Sequence, residues 1–298
     1  MESLPLPLAC ALLLLTARLS HYHVAATRER DWLQAFPNTR MPDVIRVRFR
    51  PVPSGLLRMG SRNRDPRFLY SDFSKENHDP RETTLFLEKE LKEGMNKILY
   101  FRKSEFNCAS PFLSREDANA MPFSSADLPR ILQRFSFPPV SSESEEVGIT
   151  LKWCESLEAQ EKCLTSLEAM IDYATHSAQD HNITMLRTNV NKASVLQAYT
   201  AIKVQIVPRK PSSTACHNMP YPYAVYYCHY IGEGRIYEVS LKAEDGSIVE
   251  AIATCHGDTK DWAPPLTWFQ ALPVGQKADQ HNYACHFLPD NHIIWASV

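Results

Sequence analysis

The spacing of apolar residues changes along the chain, and each change marks an element. "TLFLEKELKEGMNKILYF" (residues 84–101) has an alternating texture broken at Gly94 and predicts two strands around a turn. "PFSSADLPRILQRF" (122–135) puts Leu128, Ile131, Leu132 and Phe135 on one face behind Ser124 or Ser125, a capped helix. "SSESEEVGITLKWC" (141–154) repeats the pattern with Val147, Leu151 and Cys154 behind an acidic first turn. "LTSLEAMIDYATH" (164–176) does so with Leu167, Met170, Ile171 and Ala174. After about residue 183 the period shortens to two. "QAYTAIKVQIV", "YPYAVYYCHY", "GRIYEVSLKAEDGSIVEAIATCH" and "NYACHFLPDNHIIW" are rich in Val, Ile and Tyr, and the Asp-Gly of "AEDGS" marks a hairpin. The fold class is α+β, with helical hairpins in the middle and an antiparallel, β-rich C-terminal part.

The segments outside these patterns set the domain organisation. "LPLPLACALLLLTA" (4–17) is an apolar run of signal-peptide length, and residues 1–26 are expected to be a cleaved leader. Residues 27–84 carry 12 Lys/Arg against 8 Asp/Glu and no apolar period, and read as a variable, largely irregular linker or pro-segment. Within it "DWLQAFPNTRMP" (31–42) reads as a docking stretch. Residues 85–298 form the folded domain, with 19 Lys/Arg against 25 Asp/Glu. A formal net charge of -2 gives no reason to expect a nucleic-acid partner, and no later run has the length to span a membrane. The expected location is secreted, in the extracellular space or cell wall, with the vacuole as alternative. "HNIT" makes Asn182 a glycosylation candidate.

In an oxidising compartment the default state of paired cysteines is the disulfide. Cys154 and Cys163 bracket the gap between two predicted helices, so a bridge there staples a helical hairpin. The other pattern is a dipeptide: Cys216-His217, Cys228-His229, Cys255-His256 and Cys285-His286. Neighbouring residues on a strand point to opposite faces, so the dipeptide sends sulfur one way and imidazole the other. The four sulfurs then form two disulfides in one of three pairings, and the four imidazoles stay free as nitrogen ligands. An all-imidazole set suits copper, zinc or nickel, with copper first in affinity. The bland alternative is four hydrogen-bonded framework histidines. The chain has neither the G-x-S-x-G nor the H-E-x-x-H hydrolase motif.

The array of Cys-His pairs separated by ten, 25 and 28 residues resembles the signature of the plant-specific BURP domain. So do "FLEKELKEG", "MPFSSADLPRILQRF", "CLTSLEAMIDYAT", "YPYAVYYCH", "CHGDTKDW" and "CHFLPDNHIIW", and "DWLQAFPNTRMP" is similar to the short segment that often precedes that domain. The resemblance implies a secreted plant protein with a developmental, cell-wall or stress-related role. It implies copper held by His217, His229, His256 and His286, which are then also the candidate catalytic residues. Some members are copper-dependent cyclases that cross-link Tyr or Trp in a peptide; a seed or vacuolar storage role is a further alternative. Partners implied are cell-wall components or a separate peptide. Three features depart from the pattern: the long last interval with "GQKADQHN", Leu266 where many members carry histidine, and the extra Cys108. Trp32 and Tyr70 are the oxidisable rings of residues 27–84, and neither lies in a repeat.

Overall fold

The computed structural model of the protein describes residues 29–37, 41–49, 85–101, 103, 110–157, 159–178, 183–192, 196–257 and 283–297. The helices start where serine side chains replace the missing backbone acceptors of a first turn. Ser124 accepts from the Asp127 amide, opening a short 3-10 turn that runs into helix Leu128–Arg134. Ser141 accepts from the Ser144 amide at 3.1 Å and opens helix Ser142–Glu155. With the short helices Asp43–Arg46 (α1) and Arg115–Ala120 (α2) before them, these are α3 and α4, and Leu167–Ala178 is α5.

The strands are β1 (Leu85–Leu87), β2 (Asn96–Leu99), β3 (Lys162–Leu164), β4 (Ile183–Leu186), β5 (Asn189–Val190) and β6 (Gln197–Ile206), then β7 (Thr214–Met219), β8 (Val225–Tyr230), β9 (Arg235–Ala243), β10 (Ile248–His256), β11 (Ala284–Phe287) and β12 (Ile293–Ser297). Among the described residues they form two sheets. The seven-stranded sheet runs β1-β11-β10-β9-β6-β2, with β5 also beside β10, and the five-stranded sheet runs β3-β8-β7-β12-β4. Every named pairing is antiparallel. The β9–β10 hairpin closes at Asp245-Gly246, where Gly246 takes a φ of 80° and the Asp245 carboxylate accepts from the Ser247 amide. The fold is α+β and disulfide-stabilised.

Two local expectations change. Strands β1 and β2 flank the Gly94 turn but do not pair; they lie at opposite ends of the seven-stranded sheet. Local pattern sets a strand's period, and partners distant in the chain set its place. The Cys154–Cys163 disulfide joins the last turn of α4 to β3, a strand that intervenes before α5, so it staples helix to sheet rather than helix to helix.

Apolar residues divide between the faces of the two sheets. Ala215, Ile294 and Ala296 of the five-stranded sheet meet Ile236 and Ile252 of the seven-stranded one. On the same face of β7 and β8, Met219, Val225 and Tyr227 are covered by Ile131, Val147 and Leu151 of α3 and α4. The opposite face carries Cys216, Tyr226, Cys228 and Trp295 and is covered by Leu167, Met170 and Ile171 of α5.

Residues from the 27–84 segment complete that last core. Residues 29–35 are helical, and Trp32 is fully buried with its ring 5.8 Å from that of Trp295. Phe36 stacks on Trp295 at 5.2 Å. Arg48, 3% exposed, donates to the Ser110 carbonyl at 3.0 Å and to Asn218 Oδ1 at 3.3 Å, while its own carbonyl accepts from the Phe112 amide. We expect Trp32→Ala to lower stability by about 3–5 kcal/mol through the cavity it leaves. Val140→Ser, at a residue 97% exposed, is expected to shift it by less than about 0.5 kcal/mol. Denaturant midpoints at constant slope measure both; an unchanged midpoint for Trp32→Ala would show that the segment is not part of the core.

Candidate functional site

The site grows from two cross-strand cysteine pairs. Cys216 on β7 stands directly opposite Cys228 on β8 with Cα atoms 4.1 Å apart, and the two are bridged. Cys255 on β10 stands opposite Cys285 on β11 at 3.9 Å, bridged likewise. Alternation then fixes the imidazoles. The sulfurs of the first pair lie in the core beneath α5, those of the second among Phe86, Ala253 and Phe287, and the histidines point from each sheet the other way. The dipeptides are thus shared between two sheets, one disulfide in each, rather than aligned on a single sheet.

The two histidine faces meet. His217 and His229 stack with centroids 5.3 Å apart, His256 and His286 stack at 5.5 Å with rings nearly parallel, and His229 lies 6.4 Å from His256. A fifth ring joins them: His292, just before β12, with Nδ1 3.0 Å from His217 Nδ1. His217 Nε2 lies 3.1 Å from His229 Nε2, and His229 Nδ1 lies 2.9 Å from the Tyr230 carbonyl. A carbonyl only accepts, so His229 Nδ1 carries the proton and its Nε2 the lone pair. His217 then donates through Nε2 and accepts at Nδ1 from His292. The three neutral rings form a one-directional hydrogen-bonded row.

Burial keeps these rings uncharged. His292 is held down to about 3 by burial and the neighbouring His286, and His286 to about 4 by burial, partly offset by the Phe287 main chain. His217 lies well below its ordinary value because of burial, then the charges of His292, His229, His286 and His256. His256 is depressed by burial, His286, His229 and Arg209. His229 is lowered by burial, against the opposing pull of the Tyr230 carbonyl and of Glu161. His286 and His292 are 8% and 5% exposed, and the other three keep partial exposure.

Neutral imidazoles are what a metal ion requires. Nitrogens 3.1 Å apart also match two ligands of one ion, which stand about 2.8 Å apart at a right angle and about 3.3 Å apart at a tetrahedral angle for bonds of about 2.0 Å. Donor type, protonation and pair spacing therefore fit an ion shared by His217 and His229. Among the described residues no group of three ligands converges as a cage, so His256, His286 and His292 surround the pair without completing one.

All four sequence-predicted histidines come together here. His292 was not among them; in the sequence nothing distinguishes it from His281, which also lies outside a Cys-His dipeptide. Trp32 lies on the sulfur side of the five-stranded sheet, in the core with Cys216 and Cys228. The expected leader (residues 1–26), Tyr70, Cys108, Asn182 and Leu266 with the "GQKADQHN" stretch lie outside the described residues. Among the described residues no helix is long and apolar enough to cross a membrane.

Residues 84–297 match the family model of the BURP domain. The chain is 40% identical to BURP domain-containing protein 3 of Oryza sativa subsp. japonica, over 73% of this chain and 51% of that protein. It is 33% identical to BURP domain-containing protein 2 of the same plant, over 97% and 98% of the two chains. It is 32% identical to BURP domain protein RD22 of Arabidopsis thaliana, over 77% and 60%. The chain thus spans about half the length of the first of these relatives, and nearly all of the second.

The lowered histidine values set a pH dependence. A group whose folded value is depressed binds fewer protons folded than unfolded, so its contribution is present above the unfolded value and lost as pH falls through the folded one. For His286 the window runs from the ordinary imidazole value of 6.5 down to about 4. The metal-free protein is expected to lose stability between pH 7 and 4.5, and His286→Gln to lose on the order of 2–3 kcal/mol less. Denaturant melts at the two pH values decide; equal losses in both proteins would show that His286 is not held neutral by the fold.

Proposed function

The chain belongs to the BURP domain family, and from that premise we propose that it is a secreted plant protein of developmental, cell-wall or stress-related role that binds copper through its clustered imidazoles. The observation that carries this reading is the His217–His229 pair, two neutral rings with facing nitrogens 3.1 Å apart, inside a group of five histidines. His217 and His229 would hold the ion, with His256, His286 and His292 beside it. Copper suits an all-nitrogen set and supplies one-electron redox chemistry when bound. Three disulfides support passage through an oxidising compartment.

The chain's own residues would do the rest. The Tyr230 carbonyl fixes the tautomer of His229 and leaves its Nε2 free to ligate. To ligate through Nε2, His217 would carry its proton on Nδ1 and donate to His292 Nδ1, with His292 then protonated on Nε2. The two disulfides hold the strand pairs that carry the rings.

A second reading is oxidative cross-linking of Tyr or Trp in a peptide. The burial of Trp32 on the sulfur side favours a separate peptide as substrate over this ring of the chain itself. Calorimetric titration of the mature protein with copper is expected to show stoichiometric binding, weakened in His217→Ala by more than the ~10–100-fold that loss of a supporting residue costs. Equal affinity in the variant overturns the His217–His229 site, and no binding overturns the copper reading and leaves the imidazoles as framework. Peptide mass spectrometry of the copper-loaded protein in air tests cross-linking. We expect no loss of two hydrogens from fragments carrying Trp32, and such a loss would make the chain its own substrate.

A further inference from the structure

Tyr227 sits where the imidazoles, an acid and an indole meet. It precedes His229 by two positions on the same face of β8 and stands opposite His217 across the β7–β8 pair. Its ring stacks on His229 at 5.3 Å and on His217 at 5.8 Å. Its hydroxyl donates to Glu161 Oε1 at 2.5 Å, and Trp153 of α4 meets the ring edge-on at 5.7 Å. Tyr227 is 6% exposed, whereas Trp153 and Glu161 are partly exposed. The preceding residue makes the contrast. Tyr226, buried on the sulfur face, has no hydrogen-bond partner for its hydroxyl among the described residues. A phenol loses an electron readily only if its proton has somewhere to go, and Tyr227 alone of this pair has a carboxylate in place to take it.

We propose that Tyr227 is a redox-active tyrosine that passes an electron to a one-electron oxidant at the imidazole cluster while its proton moves to Glu161. The phenolic O–H bond breaks, an O–H bond forms on the Glu161 carboxyl, and the electron would reduce a cupric ion, held by His217 and His229, to the cuprous state. The phenoxyl then regains an electron, relayed through Trp153 from the phenol or indole of a peptide, and its proton returns from Glu161. In each turn the oxidised peptide ring would lose its own proton to solvent, so two turns remove the two electrons and two protons of a cross-link. Dioxygen, taking up two electrons and two protons, would reoxidise the metal and leave as hydrogen peroxide. The proposal rests on the copper reading for the identity of the oxidant and on the cross-linking reading for the peptide donor; the redox role of Tyr227 itself rests on neither.

The test uses the mature full chain and its Tyr227→Phe, Glu161→Gln and Trp153→Phe variants, in two arms read by freeze-quench electron paramagnetic resonance. In the first, metal-free protein meets hexachloroiridate(IV), a diffusible one-electron oxidant. The early tyrosyl signal is expected to fall at least twofold in Tyr227→Phe, which keeps the stacked ring, and several-fold in Glu161→Gln. In Trp153→Phe it should persist several-fold longer in the presence of a tyrosine-containing peptide. In the second arm cupric ion replaces the iridium salt, and its signal should bleach faster in the wild type than in Tyr227→Phe. Early signals equal in wild type and Tyr227→Phe overturn the proposal even if copper binds. A Tyr227-dependent signal in the first arm without copper binding upholds the redox tyrosine and removes copper as its oxidant.

Discussion

Neighbouring residues on a β-strand face opposite sides, and the centre of this molecule depends on that alternation. Each Cys-His dipeptide must send its sulfur into one layer and its ring into the other. The disulfides then act on the rings by fixing register. A slip of one residue between β7 and β8 would part Cys216 from Cys228 and turn His217 into the core beneath α5. The same holds for Cys255 and Cys285, whose bridge keeps His256 and His286 aimed at the facing sheet. Sulfur chemistry on two separate faces therefore aligns nitrogen chemistry on the two faces that meet.

Bringing five imidazoles together carries an electrostatic cost that the site avoids by staying neutral. A charge on any one ring would be unsolvated and would repel the next, which is why His217 feels all four others. Neutrality leaves each ring one donor and one acceptor. The row from His292 through His217 to His229 ends on the Tyr230 carbonyl because a row of neutral imidazoles needs an acceptor at its end. Glu161 supplies nearby negative charge without entering the row: it pulls His229 upward and accepts the Tyr227 hydroxyl.

What the sequence made legible follows the range of the interactions involved. Ser124, one of two candidate serines, was readable as a helix start because a cap acts over three residues, and the Asp245-Gly246 hairpin because its turn is local. The opposed faces of Cys and His followed from period alone. The sharing of the four dipeptides between two sheets did not, nor did the separation of β1 from β2, since both depend on pairings between distant segments. His292 escaped for the same reason. It reaches His217 across 75 positions of sequence, with no dipeptide to mark it.

The segment before the domain and the imidazole group are parts of one network. A buried guanidinium costs several kcal/mol unless its donors are met, roughly the scale of a whole domain's stability. The buried Nε of Arg48 has no hydrogen-bond partner among the described residues, while Nη1 is placed on the Ser110 carbonyl and Nη2 on Asn218 Oδ1. That same oxygen accepts from Asn291 at 3.2 Å. Asn218 follows His217 and Asn291 precedes His292, the two histidines joined through Nδ1. Arg48 thus ties the start of β12 to β7 at the point where the imidazole row begins. Trp32 and Phe36 bury the far side of the same strand against Trp295. The aromatic contacts hold the segment in place, and its buried Arg48 gathers Asn218 of β7 and Asn291 before β12, the two asparagines that flank the row.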